Sequence, residues 1–259
     1  MKEDGFSAAA LRLELDVKCI GSRIHHYRQL SSTMDRARQL ANMGTPEGTV
    51  VIAEEQGMGR GRLGRQWLAP AGGNVYLSVV LYPNVRTLPQ LVMLSSLAVC
   101  HALDRSLPTE ASIKWPNDIL VNGKKVSGTL IESTHQGGVP LYAVVGIGIN
   151  VSFDPRYIDT LSTAGSGLSV EANYRISRLT LVADVLKEMD YLYNVIHNGT
   201  SLISQWRQRL ATLGRRVNAN DGDSHIAGIA EDVDCDGNLV IRTHDGQLIS
   251  LLGGDVSLR

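Results

Sequence analysis

The run Gln56-Gly57-Met58-Gly59-Arg60-Gly61-Arg62-Leu63-Gly64-Arg65-Gln66-Trp67 decides between two folds. Gly59, Gly61 and Gly64 satisfy a GxGxxG pattern, and the strand-like residues 49–53 stand just before it. In a dinucleotide-binding fold that pattern opens a helix, with an acid about 20 positions further on for a ribose hydroxyl. Here Pro70 and Gly72-Gly73 interrupt any helix, and no acid lies near position 80. The doubly wound fold is excluded on that context. What remains is a flexible backbone carrying Arg60, Arg62 and Arg65. Main-chain N–H groups without a neighbouring Cβ can approach an anion closely, and guanidinium groups pair with carboxylate or phosphate as a two-pronged fork. The segment predicts an anion-binding loop, with a solvated basic loop as the alternative.

On the N-terminal side, Ser31-Ser32-Thr33-Met34-Asp35 opens an amphipathic stretch with Ala37, Leu40 and Ala41 on one face. Ser32 and Asp35 stand at capping-box spacing. On the C-terminal side, residues 75–81 read as a strand, and the apolar run from Pro89 to about Ser106 reads as a buried helix. Residues 111–115 and 119–121 read as strands. Asn122-Gly123 predicts a tight hairpin into a strand over 124–132. Residues 141–145 form another strand, running into Gly146-Ile147-Gly148-Ile149-Asn150, which reads as a strand end with a tight turn. Residues 152–169 are loop-like, and helices are expected over 177–197 and 201–213. After Gly214, short strands at 216–219, 225–232, 238–244 and 247–252 are separated by Asp-Gly turns, the texture of a small β-barrel. The fold class is therefore α+β with a C-terminal β-module.

The chain has 259 residues, 43% of them hydrophobic and 20% charged, with a formal net charge of −1. That suffices for one main domain with a small appendage, and it excludes disorder, collagen and a membrane bundle. A charge near zero excludes a general nucleic-acid coat. The 26 glycines exceed the usual share of about 7%, so backbone must turn tightly or touch a ligand in several places. Cys19, Cys100 and Cys235 form no CxxC pair, and acids occupy the place of a signal peptide's apolar core. The expectation is a cytoplasmic protein with reduced thiols and no membrane association.

Two further segments carry chemistry. Lys114-Trp115-Pro116-Asn117-Asp118 and Lys124-Lys125-Val126-Ser127-Gly128 together set cations beside a carboxylate and a carboxamide. That is equipment for a nucleotide–metal complex, with Asp118 toward Mg²⁺ and a lysine toward developing negative charge.

Taken in order, Ser32-Thr33, Gln56, the GRGRLGRQW loop, KWPND, KKVSG, GIGIN and the closing Gly253-Gly254-Asp255-Val256-Ser257-Leu258-Arg259 resemble the biotin–protein ligases, from about residue 23 to the end. The resemblance implies a mixed-sheet catalytic domain of the class II synthetase type over 23–212, an SH3-like barrel over 213–259 and an N-terminal extension over 1–22. It implies a two-step reaction in which biotin and ATP give biotinyl-5′-AMP and pyrophosphate, and a carrier-domain lysine then takes the biotinyl group and releases AMP. Ser32, Thr33, Gln56, Met34, Gly128, Gly146 and Gly148 match biotin-binding positions. Arg60, Gly61 and Arg62 match the loop that closes over biotin and the adenylate phosphate, and Lys125 the lysine beside biotin's carboxyl group. Arg65, Trp67, Lys114, Asn117 and Asn150 match the ATP and AMP side, Asp118 the Mg²⁺ side, and Asp255 and Arg259 C-terminal positions linked to ATP use. Trp67 walls the pocket or packs the core.

The chain departs from the family pattern at Met34, where Asn is common, so the ureido contacts fall to Ser32, Thr33, Gln56 and main chain. Barely 30 residues precede Ser32, too few for the helix-turn-helix that some relatives carry, which leaves the expectation of an enzyme without DNA as partner. The implied acceptor is a biotin carboxyl carrier domain of a biotin-dependent carboxylase, and the enzyme is a monomer or homodimer. The rival readings are a lipoate ligase or octanoyltransferase of similar fold, a DNA-binding biotin sensor and an inactive binding module.

Overall fold

Strand β3 (Val75–Leu81) is buried along its whole length, and the main domain is layered on it. The computed structural model describes residues 6–68, 72–152, 165–221 and 224–258. With β3, six more strands make one sheet: β1 (Ile24–Tyr27), β2 (Val50–Ala53), β4 (Ser112–Lys114), β5 (Asp118–Val121), β6 (Lys124–Gln136) and β7 (Val139–Ile149). Their spatial order is β1-β2-β3-β7-β6-β5-β4. The β1–β2 pair is parallel and the other pairs are antiparallel, giving the mixed sheet.

Period-2 alternation assigns the two faces. Val50 and Ile52 of β2, Val75, Leu77, Val79 and Leu81 of β3, and Val145, Ile147 and Ile149 of β7 join one large core. That core is shared with helices α3 (Leu91–Ser106) and α5 (Arg178–His197). The intervening Val51, Val80, Tyr142 and Val144 turn to the other face and pack on α2 (Thr33–Asn42) through Met34, Ala37, Leu40 and Ala41. Helix α6 (Ile203–Arg209) closes the large core with Trp206, fully buried, whose Nε1–H donates to Ser96 Oγ at 2.9 Å. Helix α1 (Ala8–Glu14) starts at Ser7, whose hydroxyl accepts from the Ala10 N–H.

The hairpin at Asn122-Gly123 forms as expected. Both residues are left-handed, with φ of 51° and 74°, which a two-residue turn matched to the strand twist requires. Beyond Gly214 come β8 (Arg216–Asp221), β9 (Ser224–Val233), β10 (Leu239–Thr243), β11 (Leu248–Leu251) and β12 (Asp255–Leu258). They form an antiparallel sheet in the order β11-β10-β9-β8-β12. The modules are tied at Trp115, whose N–H donates to Thr212 Oγ1 at 2.8 Å and whose Nε1–H donates to the Gly237 carbonyl at 2.9 Å.

Three expectations change. Ser32 is the N-cap of α2 but makes no side-chain cap bond, and Asp35 pairs with arginines instead. Gly146 to Ile149 are no turn; they continue β7, held by β3 on one side and β6 on the other. The five-residue helix α4 (Leu168–Ala172) forms where a loop was expected, and residues 153–164 of that predicted loop lie outside the described residues. Among the described residues, no helix is long and apolar enough to cross a membrane.

Candidate active site

On the α2 face of β7 the side chains run Tyr142, Val144, Gly146, Gly148, so the packing surface gives way to bare backbone. On β6 the same happens from Leu130 to Gly128. These glycines floor a cavity of about 300 Å³. Close approach explains them. A Cβ on Gly148 would lie 2.5 Å from Trp67 Cε2, one on Gly146 2.8 Å from Met34 Sδ, and one on Gly128 3.2 Å from Trp67 Cζ3.

The start of α2 supplies a first polar group. Thr33 donates to Gln56 Oε1 through its N–H at 2.7 Å and its hydroxyl at 3.0 Å, while Ser78 Oγ donates to Thr33 Oγ1 at 2.9 Å. Because a backbone N–H cannot accept, this network fixes which end of the Gln56 amide is oxygen and leaves Nε2 as a donor. Ser32 is buried, and its hydroxyl has no hydrogen-bond partner among the described residues. An orphaned buried hydroxyl costs about 1–3 kcal/mol, a cost that a ligand can remove.

The glycine–arginine loop supplies a second group. It folds back on itself, with the Gly61 N–H on the Arg65 carbonyl at 2.8 Å and the Trp67 N–H on the Gly59 carbonyl at 2.9 Å. Gly59 is required there, since a Cβ would sit 2.5 Å from the Trp67 carbonyl oxygen. Among the described residues no dinucleotide-type helix follows; a three-residue turn, Arg62–Gly64, sits at the tip with Leu63 in the left-handed region at φ 56°. Arg62 bridges two distant segments, donating to Asn117 Oδ1 at 3.1 Å and to the Gly254 carbonyl at 3.0 Å.

Lys125 Nζ forms an ion pair with Asp118 Oδ1 at 2.6 Å and lies 5.4 Å from the centre of the Trp67 ring. Trp67 therefore walls the cavity, and its buried Nε1–H has no partner among the described residues. Behind Lys125, the Ser166 N–H donates to the Lys125 carbonyl at 3.0 Å. Glu171 holds this corner through Asn122, Lys124 and Ser166. Burial alone would raise its pKa, but those three donors outweigh burial and hold it below the usual carboxylate value.

Of the site residues expected from the sequence, Ser32, Thr33, Met34, Gln56, Arg60, Gly61, Arg62, Arg65, Trp67, Lys114, Asn117, Asp118, Lys125, Gly128, Gly146, Gly148 and Asn150 line this one cavity, and two remain, Asp255 and Arg259. Arg259 lies outside the described residues, and Asp255 is described through its backbone in β12 only. The lining also holds residues that sequence reading did not single out, among them Leu77, Thr129, Leu130, Gly165, Val256 and Ser257. Val256 and Ser257 sit inside the closing GGDVSLR motif, which was the available signal; Gly165 had none. Among the described residues, no three His, Cys, Asp or Glu side chains converge as a metal centre would need.

The profile of the Biotin/lipoate A/B protein ligase family matches residues 26–150, and that of the Biotin protein ligase C terminal domain matches residues 212–259. The two matches place the chain among the ligases of the biotin and lipoate class. The Bacillus subtilis protein named bifunctional ligase/repressor BirA is 32% identical, over 99% of this chain and 80% of its own length. The Mycobacterium tuberculosis protein named biotin--[acetyl-CoA-carboxylase] ligase is 32% identical, over 87% of this chain and 85% of its own. A biotin protein ligase from Aquifex aeolicus, solved in complex with biotin and ATP, superposes with a TM-score of 0.75 at 29% identity, covering 92% of this chain and 99% of that one. The chain belongs to the biotin protein ligase family.

Proposed function

We propose that this protein activates biotin with ATP and transfers it to a lysine of a biotin carboxyl carrier domain. The observation that carries the reading is the composition of the cavity. One group of orphaned or donor-rich atoms, Ser32 Oγ and the Gln56 amide, suits a neutral urea-like head. A second, of Arg60, Arg62 and Lys125, suits a carboxylate and a phosphate. Between them the Trp67 indole, lying on the bare backbone of Gly128 and Gly148, offers an apolar surface for an alkyl chain.

In the first step a carboxylate oxygen of biotin attacks the α-phosphorus of ATP, and the bond to the bridging oxygen breaks to release pyrophosphate. The carboxylate and the phosphates repel each other, so the arginines and Lys125 lower the barrier by sharing negative charge. In the second step a neutral acceptor amine attacks the acyl carbon, AMP leaves with the electron pair of the acyl–oxygen bond, and a proton is lost from nitrogen. Lys125 is the donor for the oxygen that becomes negative in that step. Lys114, Asn117, Asn150, Arg65 and Trp67 are assigned to the nucleotide, together with Asp255 and Arg259. Mg²⁺ enters with ATP as part of the substrate, and Asp118, with one oxygen on Lys125, offers its other oxygen to that complex.

The test supplies the purified chain with biotin, Mg–ATP labelled at the α-phosphate, and a carrier domain. The expected result is labelled biotinyl-5′-AMP, then a carrier mass raised by one biotinyl group. Modification by lipoate or octanoate in place of biotin would overturn the reading in favour of an acyltransferase of the same fold.

A further inference from the structure

Arg60 of the glycine–arginine loop is held by two carboxylates. Its Nη2 lies 2.8 Å from Asp35 Oδ1 and 3.3 Å from Glu132 Oε2. Both carboxylates also hold Arg38, Asp35 at 3.2 Å and Glu132 at closer range, so two cations and two anions close a neutral ring. The ring joins three separate parts of the fold: Asp35 and Arg38 on α2, Glu132 on β6, and Arg60 on the glycine loop. Arg60 lines the cavity, but Asp35, Arg38 and Glu132 do not. While Nη2 is occupied, Arg60 Nε is buried and has no hydrogen-bond partner among the described residues.

A long side chain on a glycine-rich loop loses much rotamer and backbone freedom when it is fixed on a ligand. Carboxylates that fix it beforehand remove that loss from the binding step, and they do so without touching the ligand. We propose that Asp35 and Glu132 are positioning residues that hold Arg60 in place to grip the biotinyl-adenylate. The proposal rests on the biotin-ligase reading. It also accounts for Asp35 leaving the cap of α2: its carboxylate is engaged across the loop rather than along its own helix.

The experiment measures release of biotinyl-5′-AMP, formed by the enzyme from biotin and Mg–ATP, after a chase with unlabelled biotin. The variants are Asp35→Asn with Glu132→Gln, Arg60→Ala, and the combination of all three. The neutralised pair is expected to release the adenylate about tenfold faster, the scale of two partly exposed ion pairs. In the Arg60→Ala background the same neutralisation is expected to add nothing, because the carboxylates act through that side chain. Unchanged release in the neutralised pair overturns the proposal. So does equal acceleration in both backgrounds, which would make the carboxylates simple supports of α2 and β6. If the paired variant does not fold, Asp35→Asn alone is expected to give a smaller acceleration that still vanishes without Arg60; no acceleration overturns it. A wild-type chain that forms no adenylate overturns the functional reading as well, whereas failure in the variants alone leaves that reading intact.

Discussion

Replacing Gly148 by alanine tests whether the bare backbone of β7 is the floor of a binding site. The new Cβ would stand 2.5 Å from Trp67 Cε2 and 2.7 Å from both Cζ2 and Nε1. Ordinary carbon contacts lie at about 3.5–4.0 Å, so the indole has to retreat by about 1 Å. The strand cannot yield, because Gly148 is paired with Tyr76 of β3 on one side and Gly128 of β6 on the other. Overpacking of this kind costs about 1–3 kcal/mol. Trp67 is only half-buried, so the indole can swing away without disturbing the core, and the cost is expected in ligand binding rather than in folding. At about 1.4 kcal/mol per decade, biotin affinity should fall roughly 5- to 150-fold. Gly146→Ala is the control. Its Cβ meets Met34 Sδ at 2.8 Å and Cγ at 3.0 Å, and a thioether chain can bend aside, so its loss should be smaller. Titration calorimetry with biotin reads both variants, and Gly148→Ala combined with Trp67→Phe should recover part of the affinity. The reasoning fails if Gly148→Ala binds biotin as tightly as wild type, or if Gly146→Ala is the more damaging of the two.

Lys125→Ala should lower turnover by about 10²–10³, the usual loss for one donor to a developing oxyanion, with a smaller loss of biotin affinity; steady-state rates beside calorimetry separate the two. Arg62→Gly removes the bonds to Asn117 and to the Gly254 carbonyl, so the adenylate should leak at least about tenfold faster in a filter-binding assay, each bond to a charged group being worth about 1.5–3 kcal/mol. Glu188 is held below the usual carboxylate value first by its hydrogen bond with His101 and also by Arg105, against the opposing effect of burial. A depressed folded-state pKa contributes stability above the unfolded-state value, and that stability is lost as pH falls through the folded value. Glu188→Gln should therefore be less stable than wild type near pH 7, with the gap narrowing below about pH 4.5 in urea titrations; a constant gap would contradict the assignment.

Much of the fold was legible because its signals are local. The all-buried run of β3 and the Asn122-Gly123 turn depend on neighbours within a few residues, and both appear where the sequence indicated. The loop's rejection as a dinucleotide motif was legible too, since proline and glycine break helices whatever surrounds them. Other features depend on partners far along the chain. Asp35 has the right spacing to cap α2, but Arg60 and Arg38 are stronger partners for a carboxylate than a helix N-terminus. Gly146 and Gly148 read as turn residues because glycine weakens isolated strands; pairing on both sides overrides that preference. Strand β12 hides behind Gly253-Gly254, and its pairing with β8 bridges residues almost forty positions apart. The site was located largely by family resemblance. The physical residue of that reading, cations beside glycines, gave the chemistry but not the enclosing walls.

The walls come from stretches far apart in the sequence. Ser32 and Thr33 stand more than two hundred positions before Val256 and Ser257, and all four line one cavity. Since β12 is held on β8 by antiparallel pairing, it cannot take its place until its own residues exist. A ribosome must accordingly translate past Ser257 before any complete receptacle for a small molecule can form. Products released earlier in synthesis would lack one wall, and so would be poor at trapping a reactive acyl-adenylate.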